Sequence, residues 1–166
     1  MTPQDMREGA PTPSLDEMTQ GLLSFSNEMD RQARPRFDDL LQRIARQLLS
    51  DDAAAQAAID SGGFRVGDTT LVVRFNDETH QIELFADIGL PQPYAQGQAH
   101  RLALEHNLCR TYPGVTLGVH PESSRLVATT SLHLLMVSDE SMCLDAMEVL
   151  AQAAADLVGQ FELVGE

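Results

Sequence analysis

Between Gln98 and Val137 the apolar positions change from helical spacing to strict alternation, and the rest of the chain is arranged around that change. A short helix from Gln98 to Cys109 enters a Tyr112-Pro113-Gly114 turn. Val115, Leu117 and Val119 then alternate with Thr116, Gly118 and His120, which predicts a strand over Val115 to His120. Pro121 suits the second position of a type I turn. A longer strand is expected from Arg125 to Val137, with Leu126, Ala128, Leu132, Leu134 and Met136 on one face. A sheet with one apolar face has to be covered, and the strongest amphipathic stripe lies just downstream: Met142, Ala146, Val149, Leu150, Ala153, Leu157 and Phe161. Ser138 is placed to cap that last helix, with Asp139 and Glu140 in its first turn.

Upstream, Leu15, Met18, Leu22, Phe25 and Met29 recur at spacings of three and four and predict an amphipathic helix over 15–29. It docks either on the domain's own surface or on another protein. The residues before it, rich in proline and polar side chains, read as a disordered lead. Pro35 fits a first helical position, so a new helix is expected there, with Phe37, Leu40, Leu41, Ile44, Leu48 and Leu49 on its apolar side. Asp51 and Asp52 open a short alanine-rich helix that Ser61-Gly62-Gly63 ends. Strands follow at Phe64–Val66, Thr69–Phe75 and His80–Ile88, the last with Ile82, Leu84, Ala86 and Ile88 inward. The expected fold class is α+β, an antiparallel twisted sheet of about five strands packed with helices in the order α-β-β-β-α-β-β-α. Residues 1–33 read as an N-terminal extension, and 34–166 as a single domain.

Two sets of apolar residues do not fit the core. The helix over 98–109 carries one stripe of Ala99, Leu102 and Ala103 and a second of Leu104 and Leu108 on a different side. A helix apolar on both sides has to bury both, and a homodimer supplies the second surface. Val72, Phe85, Val127, Leu135 and Val137 fall opposite the inward set of their strands. Gathered on neighbouring strands they form a patch of the kind that marks an interface; the alternative is coverage by the chain's own helices.

Charge narrows the partners. Twenty-five acidic residues stand against 11 arginines and no lysine, a net charge of -14. That opposes phosphate backbones and anionic membranes, so neither nucleic acid nor membrane insertion is expected. An acidic, self-repelling chain is also suited to keeping a sticky client in solution. Cys109 and Cys143 have no CxxC spacing, no apolar stretch approaches a membrane span, and the N-terminus has no basic-then-apolar leader, so a cytoplasmic location is expected. Phosphate loops, nucleophile elbows, paired-histidine zinc motifs and calcium loops are missing from the sequence. His106 and Cys109 are half a metal site at most. His80, His120 and His133 fall on polar strand faces, and with His100 they form no catalytic arrangement. No enzyme activity, metal or cofactor is expected.

Three stretches resemble a known family. Ile82-Glu83-Leu84-Phe85-Ala86-Asp87-Ile88-Gly89-Leu90-Pro91 is similar to the third strand, and its exit, of the Tir-chaperone or CesT-like family of type III secretion chaperones. Leu102-Ala103-Leu104-Glu105-His106-Asn107 resembles its short helix ending in Asn. Thr116-Leu117-Gly118-Val119, followed by Arg125-Leu126-Val127 and Leu132-His133-Leu134, resembles its terminal hairpin. The similarity covers Phe37 to Phe161; the N-terminal extension departs from the compact family pattern. The resemblance implies a cytoplasmic homodimer, without enzymatic activity, that binds the N-terminal region of a secreted effector in extended form and keeps it competent for export. It implies a virulence setting, with the secretion ATPase as a further partner. Leu104 and Leu108, with Leu102, become dimer positions, and the five outer-face residues become effector-contact positions. The runner-up reading is a module of the same fold that binds a regulator or folded partner outside export.

Overall fold

A computed structural model describes residues 14–164; the proline-rich lead over 1–13 lies outside them. The elements are α1 (Leu15–Leu48), α2 (Asp52–Ser61), β1 (Gly63–Val66), β2 (Thr69–Asn76), β3 (Gln81–Gly89), α3 (Gln96–Cys109), β4 (Thr116–Val119), β5 (Leu126–His133), a 3-10 turn (Leu134–Met136) and α4 (Glu140–Val158). The described residues divide into two compact units, with the boundary between Gln32 and Ala33. In the first, the residues from Leu15 onward are helical, and Leu15, Met18, Leu23 and Phe25 are exposed.

Pro35 does not begin a helix; it lies inside α1. Proline in a helix interior costs about 3 kcal/mol through its missing N–H and its ring. Burial on either side offsets this: Ala33, Phe37, Leu40, Leu41, Ile44 and Ala45 are all core. Phe37 stacks on Phe75 with centroids 4.9 Å apart, and the Arg34 guanidinium lies 5.7 Å from the Phe37 ring and 3.2 Å from the Asp38 carboxylate. The α2 helix begins with the Asp51 carboxylate accepting from the Ala54 N–H at 2.8 Å. It stops at Gly62, whose φ of 68° is left-handed and whose pro-Cβ position lies 2.7 Å from the Val73 carbonyl oxygen, so only glycine fits.

All neighbouring strands are antiparallel, in the order β1-β2-β3-β5-β4. One face carries Phe64, Leu71, Val73, Ile82, Leu84, Ala86, Leu117, Leu126 and Ala128, all buried. The α4 helix lies across β1, β2, β3 and β5 on this face. Its buried side is Cys143, Met147, Leu150, Ala151, Ala153, Ala154 and Leu157, so the stripe is rotated from the expected one, and Met142 and Val149 are exposed. Asp139, not Ser138, is the N-cap, its carboxylate accepting from the Ser141 N–H at 3.0 Å and from the Ser141 hydroxyl.

Those hydrogen bonds, the Ser141 hydroxyl foremost, hold the Asp139 carboxyl below the usual carboxylate range. A depressed folded pKa contributes stability that is present above the unfolded value and lost as pH falls through the folded one. Asp139→Ala is therefore expected to be less stable than the native chain at neutral pH. In thermal melts run down a pH series, the gap should narrow as pH falls below the ordinary aspartate range.

The second hairpin strand is shorter than the sequence suggested. β5 ends at His133, and the 3-10 turn shifts the phase of everything after it. Leu134 stays buried, but Met136, expected inward, is 72% exposed, while Val137, expected outward, is 6% exposed and belongs to the core. Val119 at the end of β4 also faces solvent. At the other end of the sheet, Glu162–Val164 closes onto Leu90–Gln92: the Gln92 N–H donates to the Glu162 carbonyl, and the Val164 N–H to the Leu90 carbonyl, each at 2.8 Å. Gly89, with φ of 135°, allows this approach, since a Cβ there would meet Leu163 at 2.9 Å.

Candidate functional site

The face opposite the core is a five-strand surface whose rows follow from the register. Val72 stands opposite Gly63 and Phe85, Phe85 opposite Thr129, and Thr129 opposite Thr116, so one row crosses all the strands. The next row holds Asp87, Val127 and Gly118. On the other side Arg74, Glu83 and Ser131 are in line. Val72 and Phe85 are thus a direct cross-strand pair, and Val127 is diagonal to Phe85, within reach of an aromatic side chain. All three are half-buried.

Of the five residues expected to form a patch, the structure brings these three together and separates two. Leu135 lies on the 3-10 turn beyond the sheet, 44% exposed, and Val137 is core. Both were placed by extending strand alternation past His133, where the strand has already ended. In their place the register supplies residues that composition did not single out. Thr116, Thr129, Ser131, Gln81 and Glu83 join Phe85 in lining a shallow concavity of ≈ 420 Å³ over β3, β5 and β4. The Arg74 guanidinium lies 5.8 Å from the Phe85 ring centroid, a cation–π contact that holds the ring at the centre of the face. At the rim, Arg125 Nε and Asp87 Oδ2 are 2.7 Å apart.

The concavity offers hydroxyls, an amide, one aromatic ring and, as its one ionisable lining group, Glu83. Acid/base chemistry works through pairs of titratable groups with opposed proton affinities. A surface of threonines around an aromatic anchor is suited to binding an extended chain through hydrogen bonds and one or two side-chain contacts. Among the described residues no three of His, Cys, Asp and Glu come together as metal ligands. His106, one half of the residue pair considered for a metal, has its Nε2 3.0 Å from Gln160 Oε1 and its ring stacked on Tyr112 at 5.9 Å. Two of the expected strand-face histidines, His80 and His120, lie just outside the strands, whereas His133 ends β5 on the outer face opposite Gln81. His80 precedes β3 with φ of 52° and its ring against Phe75, His120 accepts from the Ser123 N–H, and His133 accepts from the Leu135 N–H. Cys143 is buried, and desolvation pushes its thiol up to about 11.

The second surface is α3. Ala99 and Ala103 are buried and Leu102 is half-buried against the core, whereas Leu104 is 69% and Leu108 85% exposed. The helix is fixed to the sheet edge by Asn107. Its side-chain amide donates to the Leu117 carbonyl and its Oδ1 accepts from the Leu117 N–H, both at 2.8 Å. β4 is the last strand of the sheet, so this amide takes the edge positions that a further strand would use. Asn107→Ala leaves the N–H and C=O of the buried Leu117 unmatched. It is expected to cost about 2 kcal/mol in urea unfolding, with faster amide exchange at Leu117.

No helix among the described residues is long and apolar enough to cross a membrane. No protein-family model matches the chain, and no curated protein matches it. Solved structures do. A chain of the HopA1–SchA chaperone–effector complex is similar at 16% identity with a TM-score of 0.54, covering 75% of this chain and 94% of that one. A chain of the ExsC–ExsE complex is similar at 13% identity with a TM-score of 0.57, covering 79% and 97%. The α+β arrangement expected from the sequence, a five-strand antiparallel sheet packed with helices, is the fold shared with these structures.

Proposed function

We propose that this chain, which has the fold of the type III secretion chaperones, is a chaperone that binds a secreted effector and keeps it soluble and competent for export. The observation that carries the reading is the fold match to a chain of a chaperone–effector complex along nearly that chain's whole length. The outer sheet face supports it: Phe85, Val72 and Val127 form an apolar anchor beside a threonine-lined concavity, the composition an extended polypeptide needs. The client segment is the effector's N-terminal region, bound in extended form. The protein works as a cytoplasmic homodimer in which Leu104 and Leu108, with part of Leu102, are covered by the partner copy. It acts without cofactor or enzymatic activity, and the secretion ATPase is a further partner. The acidic surface, at a net charge of -14, keeps the loaded complex soluble.

The test is affinity capture of the tagged full chain from its native host, with mass spectrometry of the eluate and the native mass of the complex. One dominant co-purifying protein, bound through its N-terminal region at one client per two chains, is the expected result. A folded regulator at equal stoichiometry would replace the reading with that of a regulatory partner module.

A further inference from the structure

The apolar stripe of residues 15–29 has a geometry of its own. Leu15, Met18, Leu22, Phe25 and Met29 are spaced three, four, three and four, the 3.5-residue repeat of a coiled-coil seam. After Met29 the repeat stops: its next two positions are Gln32 and Arg36, while the buried stripe of α1 continues instead through Ala33, Phe37 and Leu40. The boundary between the two compact units falls at the same place, between Gln32 and Ala33. One helix therefore carries two stripes of different period, and the first, with Leu15, Met18 and Phe25 exposed, is not the core stripe prolonged.

The stripe is also narrow. With Leu15, Leu22 and Met29 at the first heptad position and Met18 and Phe25 at the fourth, the flanking positions hold Ser14, Thr19, Gly21, Ser26 and Glu28. A helix that lies on a globular surface normally adds an apolar flank, whereas a seam confined to two heptad positions fits another helix. Leu23 lies off the seam.

The flanks also say which helix. Pairing with a foreign helix is selected by complementary charges at these positions, and four of the five here are uncharged. The fifth, Glu28, is 3.8 Å from Arg31 of its own helix. In a chain of net charge -14, an uncharged margin removes the repulsion that would keep identical copies apart. Gly21 on the margin permits close approach. Two heptads are marginal for a free peptide because helix nucleation is costly. Here the segment belongs to α1, whose residues from Ala33 onward are already helical and packed.

We propose that residues 15–29 pair with the same segment of a second copy of this chain as a short two-stranded coiled coil, a self-association site separate from α3. Leu22 is the middle first-position residue of the stripe, so it meets its counterpart across the seam when the two helices run parallel and in register, which is the arrangement proposed. In the full chain carrying Cys109→Ser, Leu22→Cys is expected to form an inter-chain disulfide under mild oxidation at least about tenfold faster than Gln20→Cys, because only thiols facing each other across the seam satisfy disulfide geometry. The preference should persist when Leu104→Arg and Leu108→Arg are added, which separates this contact from the α3 dimer. Equal rates at the two positions, or no cross-linked chain from Leu22→Cys, would overturn the proposal. A different protein held on the stripe, protecting Leu22→Cys from oxidation, would do the same and assign the seam to that partner.

Discussion

A chain carrying Leu104→Arg and Leu108→Arg is expected to remain folded and to lose the α3-mediated association proposed for this protein. The two leucines stand on the side of α3 away from Ala99 and Ala103, 69% and 85% exposed, and neither contributes to the core. Leucine burial contributes roughly 1.5 kcal/mol or more per side chain, so two on each copy supply on the order of 6 kcal/mol to a two-fold contact. That corresponds to about four orders of magnitude in the dissociation constant. Arginine removes this and places guanidinium groups where they have to be desolvated. The helix itself stays in place through Ala99, Ala103, Leu102 and the Asn107 amide on Leu117. Sedimentation across a concentration series, with circular dichroism as the check on folding, reads the outcome. To keep the proposed pairing of residues 15–29 from masking it, the same pair of substitutions is measured with Phe25→Glu. A two-chain mass that survives in that background would remove α3 from the interface.

The sequence carried most of the architecture because its strands are half-buried: alternation in Leu71–Phe75 and Ile82–Ile88 names both the element and the inward face. It was least legible where local and tertiary signals conflict. Pro35 carries a helix-start signal, but the core contacts of Ala33 and Phe37 hold the chain helical on both sides of it. After His133 the alternation continues on paper through Val137 while the backbone turns into a 3-10 helix, which exchanges the roles of Met136 and Val137. Nothing local announces that exchange, because Leu134, Leu135, Met136 and Val137 are all apolar. The same run hid the true cap of α4, since Ser138 and Asp139 are both good N-caps.

The candidate site was legible only in its apolar members. Val72, Phe85 and Val127 are visible as apolar residues at outward positions, but their adjacency depends on cross-strand register, which runs through contacts between β3 and β5 some forty residues apart. Thr116, Thr129 and Ser131 are ordinary outward strand residues until that register lines them up around the concavity. Asn107 is similar: it reads as a helix-ending residue, and only the tertiary placement of β4 shows that its amide stands in for a neighbouring strand.

Phe85→Asp is the second substitution with a large expected effect, and it falls on the proposed client face rather than on α3. The ring is central to the outer face, opposite Val72 on β2 and Thr129 on β5, with the Arg74 guanidinium 5.8 Å from its centroid. Aromatic anchors in such positions dominate binding energy, and removing one costs about 2 kcal/mol or more, roughly a thirtyfold loss of affinity. Aspartate adds to this by placing a carboxylate two residues along the strand from Glu83 on the same face, in a chain already at -14. The fold should survive, because the core face of β3 is Ile82, Leu84, Ala86 and Ile88, whose buried contacts lie on the other side of the sheet. The measurement is titration of the purified client segment against native and variant chains, with urea unfolding of both run alongside. A variant that unfolds at much lower urea would place Phe85 among the residues that hold the sheet together. A variant of native stability and native affinity would move the client contact off this face.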